Sequence, residues 1–280
     1  MSAVYQSFTT VALSTTNPLV INKPSGVVDG DLMVMFIFVN LNAGVISVDT
    51  LAGWTLIRSN TAGGGGAPPT IKAYYRVASG EGSNYSWTTT GGSPTWGAIL
   101  VRVTDQNATP ILTSNGAGTS GASTTSLTFA DTVTPTNGYQ LIFFPVMTQV
   151  SSGTNTISGY AVTTSDPTWT EISDTNSGVT QMSLAYATRD AATATGDSSV
   201  TSSGTTVNYV GQLVVVDRLY AFSSTISDST TVTDAVTVNS GLNITVSDTV
   251  TPTDTITAEK QKTWATQQKS STTWLNQDKS

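Results

Sequence analysis

Asp31–Val39 reads D-L-M-V-M-F-I-F-V: one acidic residue, then an unbroken apolar run from Leu32 to Val39. Successive side chains of a strand point to opposite faces, so a strand with one wet face alternates polar and apolar residues. A run without that alternation is expected for a strand buried on both faces, at the centre of a sandwich. No window of about 11–18 residues carries a convincing helical stripe. Strand signals recur instead, at Val4–Leu13, Trp54–Arg58, Thr70–Ala78, Tyr85–Thr89 and Trp96–Val103, bounded by Gly, Pro, Asn and Ser.

The same order then returns. Gly30-Asp31-Leu32 before M-V-M-F-I-F-V matches Gly138-Tyr139-Gln140-Leu141 before I-F-F-P-V-M. Trp54-Thr55 matches Trp169-Thr170, Ala73-Tyr74 matches Ala185-Tyr186, and Gly97 matches Gly211. An internal duplication follows, Pro24–Val103 and Pro135–Leu219. One half presents a sheet face that needs cover, and the other supplies it. Two antiparallel sheets packed face to face are the simplest outcome. About a dozen strands fit an all-β, jelly-roll or concanavalin-like β-sandwich over 1–222, with halves near 1–110 and 111–222. Trp54, Trp169, Tyr74 and Tyr186 are expected in the core.

Composition changes after 222. From Ile226 to Thr257, Ser and Thr alternate with Ile, Val and Asp at a period of two, the pattern of extended strand. Two units lie 20 residues apart, Ile226–Val238 and Val246–Ala258, with Asp228 matching Asp248, Asp234 matching Asp254 and Val236 matching Ile256. Asn239, Gly241 and Asn243 mark a break between them, read as a hairpin. This makes 223–258 an extended β arm, in which Val232, Val236, Val246, Val250 and Ile256 form the apolar edge that a partner would cover. A third repeat closes the chain, Thr263-Trp264-x-x-Gln267-x-Lys269-Ser270 and Thr273-Trp274-x-x-Gln277-x-Lys279-Ser280. Residues 260–280 carry four lysines against Asp278. A basic, Trp-bearing end on an acidic body reads as a docking segment over 259–280, with Trp264, Gln267, Lys269, Trp274, Gln277 and Lys279 as its contacts.

Composition also excludes chemistry. The 280-residue chain has neither histidine nor cysteine. That removes Ser-His-Asp and Cys-His catalysis, disulfides and Cys/His zinc sites. A net charge of −7 argues against free nucleic acid as a partner. Leu32–Val39 falls far short of the roughly 20 apolar residues of a spanning helix, and the N-terminus M-S-A-V-Y-Q-S-F-T-T has no signal-peptide pattern, so no membrane is expected. Glutamate occurs only at Glu81, Glu171 and Glu259, and no carboxylate pair has a spacing that points to glycoside cleavage. Asp29-Gly30-Asp31 lacks the further acids of a calcium loop and reads as a turn. No catalytic residue, cofactor or metal is therefore expected. Trp87 and Trp96 flank G-G-S-P and are the aromatics to consider for stacking on a sugar ring. Asp228, Asp234, Asp248 and Asp254 interrupt the arm's apolar edge and guard it against amyloid-like pairing.

Several of these segments resemble something known. Val27-x-Asp29-Gly30-Asp31-Leu32 before an apolar run, Gly53-Trp54-Thr55-Leu56-Ile57, Ala73-Tyr74-Tyr75-Arg76-Val77-Ala78 and Tyr85-x-Trp87 together resemble the repeated β-sandwich module of bacteriophage structural proteins. The Ser/Thr-Asp tail and the W-x-x-Q-x-K-S ending are similar to segments of phage tail and virion-surface proteins. The resemblance implies a non-enzymatic virion component, made in the host cytoplasm and carried on the particle surface. It would serve as capsid decoration, head fibre, tail or baseplate, with other virion proteins as partners. A homotrimer joined through the arm is expected by analogy, and a host-surface glycan is the alternative ligand.

Overall fold

The computed structural model describes residues 3–40, 47–63, 68–91, 94–135, 140–164, 167–190 and 192–218, and the C-terminal strands 222–228, 235–238, 242–248 and 255–258. The chain divides into two compact units, Ser2–Arg218 and Leu219–Ser280, the latter with Met1. The described residues are all-β.

In the first unit, the opening half runs β1 (Val4–Ser14), β2 (Leu19–Asn22), β3 (Leu32–Asn40), β4 (Ser47–Val48), β5 (Thr55–Thr61), β6 (Pro69–Val77), β7 (Asn84–Trp87), β8 (Thr89–Thr90) and β9 (Thr95–Thr104). The second half runs β10 (Gln106–Phe129), β11 (Gln140–Val150), β12 (Ile157–Val162), β13 (Thr170–Ser177), β14 (Thr180–Arg189) and β15 (Ser198–Arg218). The first half forms an antiparallel sheet in the order β1-β9-β3-β6-β5, and the second forms β10-β15-β11-β14-β13. The two orders are the same once β10 stands for β1, β11 for β3, β13 for β5, β14 for β6 and β15 for β9. The duplication seen in sequence is therefore a duplication of topology.

Three hydrophobic cores separate the layers. The central one lies between the two large sheets and holds Leu32, Val34, Phe36, Phe38, Leu141, Phe143, Val214 and Val216. The first outer core lies between the first large sheet and two small sheets, β2-β7 and β4-β8. The second outer core repeats this arrangement. There the cover comes from the far ends of β10 and β15, paired Leu127 to Val200, and from β12 on β15. The expected pair of facing sheets thus gains an outer layer on each side, because each large sheet has two apolar faces to bury.

β3 shows why. Leu32, Val34, Phe36 and Phe38 enter the central core, whereas Met33, Met35, Ile37 and Val39 enter the first outer core, all at 0% exposure. Each such side chain contributes about 1.5–3 kcal/mol by burial. β11 divides in the same way, Leu141, Phe143 and Met147 against Ile142, Phe144 and Val146. Between the sheets, β1 lies against β13 and β10 against β5. This is one contact made twice, as expected where two copies of a module meet about a two-fold axis. A single residue, Asp105, joins β9 to β10 in the left-handed region, φ 58°.

Register corrects two of the sequence matches by one residue. Thr55 pairs with Tyr75, and its counterpart Thr170 pairs with Tyr186. Tyr186 therefore corresponds to Tyr75, and both pack on the central core, whereas Tyr74 lies in the outer one. Likewise Ile37 pairs with Ala98 and its counterpart Val146 with Gly211, so Gly211 corresponds to Ala98 rather than Gly97. A slip of one residue exchanges the faces of a strand, which a match of residue types does not detect.

The C-terminal unit is described at the level of its backbone. β16 (Phe222–Asp228) pairs in parallel with β18 (Leu242–Asp248), and β17 (Ala235–Val238) with β19 (Thr255–Ala258). The hairpin expected around Gly241 is not the arrangement found. A two-residue turn joins antiparallel strands, whereas these parallel strands are joined by a crossover through β17.

Candidate functional site

Trp87 and Trp96 are not available to a sugar. Trp87 lies on β7, where alternate residues are buried, and is 1% exposed. Its ring packs on Trp54 at 5.8 Å and Tyr74 at 4.7 Å. Trp96 on β9 is fully buried, and its indole N–H donates to the Thr16 carbonyl at 2.7 Å. Both rings fill the first outer core, placed by strand parity rather than by the neighbouring glycine-rich loop.

Several of the described carboxylates hold turns and strands in place. Asp31 accepts the Val28 N–H at 2.9 Å and pairs with the Arg102 guanidinium at 2.7 Å. Asp29 accepts the Gly80 N–H at 2.8 Å, and Gly30 between them has φ 94°. Asp29-Gly30-Asp31 is thus a turn that ties β3 to the end of β6. Glu81 pairs with Arg76 at 2.7 Å and accepts the Tyr85 hydroxyl at 2.8 Å. Burial first, then that hydrogen bond to Glu81, pushes the Tyr85 hydroxyl pKa up.

Glu171 and Asp174 on β13 come nearest to an acidic pair. Partial burial raises both pKa values, and the charge of Asp174 raises Glu171 further. Asp174 is occupied, however: it accepts the Ile157 N–H at 3.3 Å and the Gln181 amide, which fixes β12 and β14 about β13. Asp131 is fully buried. It accepts the Ser198 N–H at 2.9 Å and the Ser198 hydroxyl at 2.6 Å. Burial pushes its pKa up to about 6 against the lowering effect of those bonds. Among the described residues, no three of His, Cys, Asp and Glu gather as a metal site. No helix among them is long and apolar enough to cross a membrane.

What remains is the C-terminal repeat. The 20-residue offset of the sequence is also the register of the ladder: Thr225 pairs with Thr245, Ile226 with Val246, Ser227 with Ser247, Asp228 with Asp248, and Val236 with Ile256. In both ladders a strand of the first unit lies in parallel beside its own counterpart in the second, like on like. Of the expected edge residues, Val236, Val246 and Ile256 occupy ladder positions, while Val232 and Val250 lie outside the described residues. Trp264, Gln267, Lys269, Trp274, Gln277 and Lys279 also lie outside them.

Two features escaped the sequence reading. β10 is a strand of 24 residues, yet its Gly, Ser, Thr and Ala content carries little strand signal. Its small residues serve close approach: a Cβ on Gly118 would stand 2.7 Å from the Ala62 Cα. Gln212 also passed unremarked inside V-G-Q-L-V-V-V, although it is a fully buried amide. No family model, curated protein or solved structure matches the chain.

Proposed function

We propose that this chain is a non-enzymatic structural protein of a bacteriophage virion, attached through its C-terminal residues, with the β-sandwich displayed on the particle surface. The observation that carries the reading is the like-on-like parallel pairing of two 20-residue units. Each ladder of the C-terminal unit has only two strands, and other chains would supply the cover for its remaining edges. Three copies meeting about one axis would supply that cover, and the Trp/Lys segment at 259–280 would dock on another virion protein. The lack of His and Cys, and carboxylates engaged in holding turns and strands, favour an assembly role over catalysis.

Deletion of residues 223–280 tests the proposal. Particles assembled in the presence of the truncated chain are expected to lack it, while Ser2–Arg218 keeps its fold by circular dichroism. Normal incorporation of the truncated chain would remove the anchoring role.

A further inference from the structure

We propose that the parallel ladders of the C-terminal unit continue from one copy of the chain to the next, with β18 beside β16 of the next copy and β19 beside its β17. The inference rests on the three-copy reading above and specifies which edges meet. Among the described residues each ladder has two strands, so each strand has one paired edge and one open edge. The structure shows what such an edge takes. Seven consecutive residues of β16 and four of β17 lie beside the residue 20 positions later, without a break in register. Thr225, Ser227, Asp228 and Thr237 meet an identical residue, and Ile226 and Val236 meet another β-branched one. Matched cross-strand pairs are the unit of sheet stabilisation. The strand that suits the open edge of β18 is therefore another strand of this repeat. The chain holds two units, and a second copy is the source of a third.

Strand direction fixes the symmetry. A two-fold axis across the strands would set the copies antiparallel, whereas a rotation axis along the strands keeps all of them parallel. The open edge of β18 then meets the opposite edge of β16, a heterologous contact that is satisfied throughout only when it closes as a ring. Three copies give rings of six parallel strands. A closed sheet needs tilted strands and a staggered register. A stagger of one residue would exchange the faces of the strand, so each chain boundary shifts by an even number. About two residues at each of three boundaries give a shear equal to the strand number, the ratio that sets a tilt of about 36°.

The test uses the full chain, which has no cysteine of its own. Sedimentation equilibrium is expected to show three chains per assembly, and removal of residues 223–280 to return monomer. Chains carrying Thr245→Cys are then co-expressed with chains carrying Ser223→Cys, Thr225→Cys or Ser227→Cys and oxidised. Linking between chains is expected to be fastest at position 223 or 227, two residues from the partner of Thr245 within one chain. Chains that all carry Thr245→Cys should link at least roughly tenfold more slowly, because like positions lie two strand spacings apart, about 9–10 Å, beyond the ~7 Å that a disulfide spans. A monomeric full chain, a truncated chain that is still trimeric, or fastest linking of Thr245→Cys with itself would overturn the proposal. The anchoring role would survive that result if incorporation into particles still required residues 223–280. Trimers linked as expected, with normal incorporation of the truncated chain, would remove the anchor and keep the ladder.

Discussion

Gln212→Met is expected to stabilise the sandwich unit. Gln212 lies on β15, fully buried, and neither its amide nitrogen nor its amide oxygen has a hydrogen-bond partner. Register identifies its place. Gly211 corresponds to Ala98, so Gln212 corresponds to Ile99, an apolar residue of the central core. The first half thus shows what the site accepts. Each orphaned polar atom costs about 1–3 kcal/mol, and replacement by an apolar side chain of the same shape removes that cost. Methionine suits the space better than isoleucine does. Methionine is unbranched and close to glutamine in length, so it keeps the shape of the side chain it replaces. A volume-conserving change limits any packing loss to under about 1.5 kcal/mol. The net expectation is a gain of roughly 1–2 kcal/mol, read as a higher urea midpoint at unchanged m. Gln212→Glu should do the reverse, since it buries a charge without a partner. A loss of about 1 kcal/mol or more in Gln212→Met would refute the reasoning, because it would mean that the amide is satisfied.

Three further outcomes follow from the same structure. The folded pKa of Asp131, about 6, exceeds the ordinary 3.8, so its contribution to stability is fully present below the ordinary value and is lost as pH rises through 6. Thermal melts from pH 4 to 7 should show wild type losing roughly 2 kcal/mol relative to Asp131→Asn over that window, and parallel curves would refute the shift. Gly97→Ala should cost about 1–3 kcal/mol in chemical denaturation, because the new Cβ would meet the Val11 carbonyl at 2.7 Å and the Met182 sulfur at 2.9 Å, while Gly82→Ala, with its nearest atom at 3.9 Å, should stay near neutral. Trp87→Ala should cost about 3–5 kcal/mol as a core truncation. A variant of unchanged stability that loses binding on a glycan array would instead restore the sugar-stacking role.

Much of the fold is legible in single runs. Leu32–Val39 announces a strand with two buried faces, and the repeated Trp-Thr pair, Trp54-Thr55 and Trp169-Thr170, marks the same strand start in both halves. β10 was not legible, because packing against Ala62 and pairing with β15, rather than propensity, hold its small residues extended. The sugar-stacking pair failed for a related reason. Exposure of Trp87 depends on which sheet covers β7, and no local pattern contains that information.

The division between sequence and tertiary structure is one of period against partner. Alternation, apolar runs and the 20-residue repeat follow from the order of residues, because side-chain direction is a property of one strand. That order determined an all-β chain, its internal duplication and the spacing of the C-terminal units. Which face of β3 meets which core, whether Tyr186 answers to Tyr74 or Tyr75, and whether the C-terminal units fold back as a hairpin or stack in parallel depend on pairing between distant strands. A shift of one residue in that pairing moves every side chain to the opposite face, so only the assembled sheets decide it.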